Sequence, residues 1–267
     1  MSSILRMEFY ITRKSKIWLN IALVGTGFFF LATFIVHNSI DQRMQQAMGL
    51  LDPSQSMELA GLPFLSYWER LISSDAITMF TSIFAIMFML VEFQNGYIKN
   101  IWTSIEKKGS FLLSKYTVLL TFIIFMFVVN GIVIGISNFM YLGCTEFGDI
   151  YPFMKYCATQ ILLHFAFCCT VMCIALLAKQ RTVVMIASII YVAFAPQMIY
   201  SAINQLVIKV LPASENFLIQ KYLPYGNVIQ LSTQSDSGEY LRAIIVGLVF
   251  IIGTSIVSML ALKKYDI

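Results

Sequence analysis

Six apolar stretches, at residues 17–37, 71–91, 117–137, 156–178, 182–203 and 243–262, are each long enough to cross a bilayer. A spanning helix needs roughly 20 apolar residues at about 1.5 Å rise each. The bilayer interior offers backbone amides no water, so runs of this length must satisfy their hydrogen bonds internally, as helices. The expected fold is therefore all-α: a polytopic membrane protein with six transmembrane helices in a single membrane domain spanning residues 1–267. Composition agrees, with 58% apolar residues and 12% charged, the latter about half the share usual in soluble domains.

Positive charge orients the helices. With the N-terminus inside, the inner segments hold Arg6, Arg13, Lys14, Lys16, Lys99, Lys107, Lys108, Lys115, Lys179, Arg181, Lys263 and Lys264, which is 12. The outer segments hold Arg43, Arg70, Lys155, Lys209, Lys221 and Arg242, which is 6. Lys and Arg near span ends are retained on the cytoplasmic side, so both termini are expected there. The net charge of +4 suits an anionic membrane surface and gives no reason to expect nucleic acid. The first span is too long for a cleaved signal, and no small-residue cleavage site follows it.

Residues 1–16 form a basic lead. Ile4, Met7 and Ile11 share one helical face and Arg6 and Arg13 another, as in a helix lying at the interface. The outer loops 38–70 and 204–242 each exceed 30 residues, well beyond usual connections. The first is rich in Met, Leu and aromatics. The second contains apolar pieces at 206–211 and 217–223 that are too short to span, as re-entrant or interfacial segments are.

No catalytic pattern is present. The chain lacks a G-x-x-x-x-G-K-[ST] loop, a G-x-S-x-G elbow, an H-E-x-x-H helix and paired Cys motifs. No catalytic residue, bound cofactor or metal site is expected in this chain. Cys168, Cys169 and Cys173 lie inside the fourth span as small hydrophobes. Only Cys144 and Cys157 lie near the outer face, where a bridge between them is open. His164, beside Gln160 on the fourth span, suits a polar interhelical contact. The span interiors lack Asp, Glu, Lys and Arg, which argues against a pump driven by its own proton relay.

The strongest local signal follows the second span. Apolar residues recur at Tyr97, Ile98, Ile101, Trp102 and Ile105, the spacing of one helical face. Lys107 and Lys108 complement a helix C-terminus, and Gly109 is a suitable stop. The spacing predicts a short helix over residues 96–108 along the inner membrane face, either lying on lipid or serving as a docking surface.

The Glu-x-x-x-Gly-x-x-Lys pattern at Glu92, Gly96 and Lys99 resembles that of the type-2 ATP-binding-cassette (ABC) export permeases. The six spans, the basic interfacial start, the approach at 109–115 and Lys221-Tyr222-Leu223-Pro224 are similar too. Tyr97 departs from the small hydroxyl residue expected after the glycine. The resemblance implies a bacterial plasma-membrane permease in which two permease chains join two separate ATPase subunits. ATP and Mg would bind in the ATPases, and the loop after the second span would be the coupling helix. Glu92, Gly96 and Lys99 would then lie at the transmission interface. On the residue pattern, Tyr97, Ile101, Trp102 and Ile105 would supply its apolar contacts. Gly131 and Gly135 in the third span form a small-x-x-x-small face.

Three functions compete: the membrane half of an ATP-driven exporter, a self-contained channel or secondary carrier, and an integral membrane enzyme. The first fits best. Cargo is open among amphipathic peptides of bacteriocin or lantibiotic type, drugs and lipids. Met44, Met48 and Met57 with Phe64, Tyr67 and Trp68 make an adaptable apolar surface. Phe64 and Trp68 are the candidate cargo or outer-gate residues, unless this segment simply packs on its own outer face.

Overall fold

The computed structural model describes residues 2–50, 63–73, 75–94, 108–142, 146–210 and 218–264. Among them are helices and connecting turns, with no strand. In chain order they are α1 (Ser2–Ser15), α2 (Ile17–Leu50), α3 (Phe64–Ile72), α4 (Asp75–Gln94), α5 (Lys108–Leu142), α6 (Ile150–Ala178) and α7 (Arg181–Phe194). A π-helical turn (Ala195–Ile199), α8 (Tyr200–Val210), a 3-10 turn (Ile219–Tyr222), α9 (Pro224–Gln230) and α10 (Ser237–Lys263) complete the set.

The helix expected at the start forms as α1. Lys16, in a left-handed conformation at φ 54°, separates it from α2, since such a residue cannot continue a right-handed helix. Four helices among the described residues are long and apolar enough to cross a membrane: Ile17–Ile35 of α2, Lys108–Ser137 of α5, α6 and α10. α3 and α4, bent by 50° at their junction, make a fifth if taken as one span. Among the described residues the chain is therefore all-helical with four to five apolar spans, as a multi-pass membrane protein is.

The stretch expected at 182–203 is not one regular helix. α7 stops after 14 residues, and the π turn contains Pro196. Proline has no N–H to give the carbonyl four residues earlier, which here is that of Val192. The Tyr225 hydroxyl donates to that carbonyl instead, at 2.6 Å. Other boundaries shift as well. α2 runs beyond residue 37 into the expected first loop, and α5 and α10 begin before 117 and 243. The 35 residues of α5 extend about 50 Å, more than the roughly 30 Å hydrocarbon core requires.

α6 is the central helix. Its apolar window is the most buried of the four spans, and it packs against α4, α5, α7, α9 and α10. Phe84 of α4 stacks on Phe122 of α5 with ring centroids 3.8 Å apart. Lys179, left-handed at φ 57°, ends α6 and returns its N–H to Ala175. Gly148 precedes α6 at φ +90°, and a Cβ there would stand 3.2 Å from that of Pro63. The position thus needs glycine for conformation and space alike. α10, by contrast, exposes Ile245, Leu248, Val249, Ile252 and Ile256 along one side, the apolar face a lipid-bathed helix presents.

Candidate functional site

α4 ends at Gln94 and α5 begins at Lys108, so residues 95–107 join those two helix ends. Gly96, Tyr97, Lys99, Ile101, Trp102 and Ile105, expected at the ATPase interface, fall in this join and outside the described residues. Glu92 lies in the last turn of α4. The stop expected at Gly109 is corrected: Lys108 and Gly109 open α5. Two contacts account for this. Lys108 Nζ donates to the Leu262 carbonyl at 3.1 Å, among the last carbonyls of α10, which lack intrahelical partners. A Cβ on Gly109 would meet Met259 Cε at 3.3 Å, so the glycine lets α10 approach. The residues that read as a C-terminal signal serve the C-terminus of a neighbouring helix.

Two turns into α5, Lys115 is fully buried. Its ammonium lies 2.9 Å from Glu8 Oε2, and both side chains have no exposed surface. It also donates to the Phe88 carbonyl at 3.2 Å and sits 4.1 Å from the centroid of the Phe88 ring. One cation thereby joins α1, the last turns of α4 and the first turns of α5, beside both ends of residues 95–107. Charges persist out of water only when paired and hydrogen-bonded. Lys115, which the sequence placed just before the third span, is thus buried in the helix that carries that span and is matched by Glu8. The pattern carried a usable signal: Glu8 is the one acid in α1 and lies on the same face as Ile4 and Ile11.

At the opposite end, α3 lies against α5. The Trp68 ring occupies the place a Gly131 Cβ would take, and the Phe64 ring lies 3.4 Å from that of Gly135. The small-x-x-x-small face thus receives an aromatic pair spaced four residues apart on α3. Phe64 also meets Phe147 at 5.5 Å and Trp68 meets Phe153 at 4.8 Å between ring centroids. Trp68 further lines an apolar groove of about 200 Å³ with Phe127, Phe153 and Cys157. Cys157 is half-buried and unbridged, while Cys144 lies outside the described residues.

The segment before α10 turns back into this end of the bundle. Pro224, Tyr225, Gly226, Asn227 and Val228 of α9 are all buried. Several separate hydrogen bonds, some to carbonyls and some to the carboxylates of Asp75 and Glu69, hold it there. The single Tyr225 hydroxyl proton is shared between the Val192 carbonyl and Asp75 Oδ1, and Gln160 Nε2 donates to the Val228 carbonyl at 2.9 Å. Asn227 Nδ2 reaches the carbonyls of Lys221 and Leu223 at 3.0 and 2.9 Å. Glu69 accepts from the Thr233 N–H and hydroxyl at 2.8 and 2.7 Å. Burial, then the Asp75 carboxylate, push the Tyr225 phenol well above its ordinary value, so its proton stays in place. Deeper in the bundle, His164 Nε2 and the Thr78 hydroxyl are 3.1 Å apart and link α6 to α4. This is the interhelical contact the sequence suggested. Among the described residues, no three His, Cys, Asp or Glu side chains gather as a metal would need.

Residues 4–195 match the model of a family described as ABC-2 family transporter protein. The chain belongs to that family. No curated protein and no solved structure matches it. The match makes the chain a permease subunit of an ABC transporter, in a family that implies an ATPase partner. The matched part of the permease includes Glu8, Phe64, Trp68, Gly131 and Lys115, and stops at the first residue of the π turn. α9 and its hydrogen bonds lie beyond it.

Proposed function

We propose that this permease is the membrane half of an ATP-driven exporter, crossing the bilayer six times with both termini and residues 95–107 in the cytoplasm. The Lys and Arg distribution supports that orientation. In this reading two permease chains, identical or related, bind two ATPase subunits that hold ATP and Mg. The observation that carries the coupling is the buried Glu8–Lys115 pair. It braces the two helices whose ends receive residues 95–107, so a push on that loop moves α1, α4 and α5 together. The chain itself catalyses nothing. Its cargo is an amphipathic peptide of bacteriocin or lantibiotic type, which the apolar groove beside Trp68 suits better than a small ion.

Affinity purification of the permease from its native membrane should bring an ATPase with it, and the chain alone should not hydrolyse ATP. Trp102→Ala combined with Ile101→Asp should release the ATPase or uncouple hydrolysis from transport while leaving the permease inserted. A double variant with normal copurification and normal transport removes the coupling assignment. For cargo, replacing Phe64 and Trp68 with alanine should alter which peptides stimulate the assembled ATPase. If no peptide in a bacteriocin panel stimulates it, the cargo is a drug or lipid.

A further inference from the structure

A second groove, of about 290 Å³, opens beside α1, with Phe9, Arg13, Trp18, Phe84, Phe122 and Phe125 among its walls. Its floor is the Phe84–Phe122 stack, and Trp18 stands edge-on to Phe125 at 5.4 Å between ring centroids. The two hydroxyls on its walls are already committed. Thr12 Oγ1 donates to the Glu8 carbonyl at 2.7 Å and Thr121 Oγ1 to the Thr117 carbonyl at 2.8 Å. Arg13, an exposed residue, is the one charged residue among its walls. A small polar solute finds no partners in such a groove, and a purely apolar one makes no use of the cation. A molecule with an acyl chain and an anionic head matches both parts.

Charge narrows the choice. The one acid of α1, Glu8, is withdrawn from the surface by Lys115. The exposed side of α1 therefore carries Arg6, Arg13 and Lys14 with no acid, and exposed Lys16 follows directly. Basic pockets between transmembrane helices take anionic lipid head groups, and a guanidinium offers phosphate a planar pair of donors. We propose that this groove binds an anionic phospholipid of the leaflet on the α1 side, with one acyl chain on the Phe84–Phe122 floor and the phosphate on Arg13. The bound lipid packs α1 against α4 and α5, next to the Glu8–Lys115 pair. The proposal goes beyond transport and does not rest on the identity of cargo or ATPase.

Trp18 lines the groove and supplies the reporter. The full-length permease is reconstituted in nanodiscs containing phosphatidylglycerol or phosphatidylcholine with identical brominated acyl chains. The Trp18 signal is the difference between the natural chain and Trp18→Phe. Brominated phosphatidylglycerol should half-quench it at about fivefold lower mole fraction than brominated phosphatidylcholine, the size of one basic side chain meeting an anionic lipid. Arg13→Gln should abolish the preference and Arg13→Lys should keep part of it. Lys14→Gln, which removes the same charge outside the groove, should leave it nearly intact. Equal quenching by the two lipids overturns the proposal. So does an equal loss in Arg13→Gln and Lys14→Gln, which identifies a diffuse surface potential. Absence of Trp18 quenching by either lipid overturns it too, and means that another surface, such as a second copy of the chain, covers the groove.

Discussion

At the α1 end, one ammonium holds three helices through a carboxylate, a carbonyl and an aromatic ring. At the α3 end, the same task is spread over separate hydrogen bonds from Tyr225, Gln160, Asn227 and Thr233, to carbonyls and to the carboxylates of Asp75 and Glu69, and over the rings of Phe64, Trp68 and Phe153. The two solutions fail differently. A buried ion pair is made or lost as a unit, because either charge alone is strongly disfavoured in an apolar surrounding. A set of separate hydrogen bonds loosens one member at a time, each worth about 1 kcal/mol. An end that must move as a block is well served by the first, and an end that must stay closed under local disturbance by the second.

The comparison breaks most visibly at Lys115. Lys115→Met removes the cation that lies 2.9 Å from buried Glu8 and should cost about 3–5 kcal/mol. Restoring neutrality with Glu8→Gln in the same chain should recover most of that. The buried thiols Cys168, Cys169 and Cys173 of α6 provide the measurement, since a thiol-reactive dye reports their exposure on detergent unfolding. If Lys115→Met unfolds at the same midpoint as the natural chain, the pair does not hold the α1 end.

Apolar run length and basic bias made the helical membrane fold legible, because the bilayer leaves backbone so few options. Those signals say little about breaks. Pro196 marked the interruption of the 182–203 stretch in plain sight, yet the hydroxyl that satisfies the Val192 carbonyl comes from Tyr225, far along the chain. The pairing of Glu8 with Lys115 was hidden for the same reason. Each residue looked like an ordinary interfacial charge, and only the packing of α1 on α5 brings them together. Phe64, Trp68, Gly131 and Gly135 were all visible as motifs. That one pair fits the other follows from the placement of α3, which no local pattern specifies.

A smaller effect should come from crowding the α3 end. Gly131→Ala puts a methyl where the Trp68 ring lies, and overpacking of this kind costs about 1–3 kcal/mol. Gly135→Ala, with the Phe64 ring at 3.4 Å, should cost clearly less. Adding Trp68→Leu to Gly131→Ala should relieve the strain, so the pair should be less damaging than the sum of its singles. Strict additivity in that cycle, measured by the same dye, would mean that the ring and the glycine are not in contact.

The smallest effects test whether the α3 end is as distributed as it looks. Tyr225→Phe removes the donor shared by the Val192 carbonyl and Asp75, and Tyr240→Phe removes a 2.8 Å donor to the Ser232 carbonyl. Both changes keep the ring and its packing, so each should cost about 1 kcal/mol. The two hydroxyls have different acceptors, on α7 and α4 for Tyr225 and on the turn before α10 for Tyr240. Sites that share no partner add to within roughly 0.5 kcal/mol, so the double variant should lose about 2 kcal/mol. The Glu8 and Lys115 variants should do the opposite, with the double milder than either single prediction implies, because neutralising both charges removes the penalty each leaves behind. A synergistic collapse of the Tyr225–Tyr240 double would show that the α3 end also acts as one unit, and the contrast between the two ends would lose its basis.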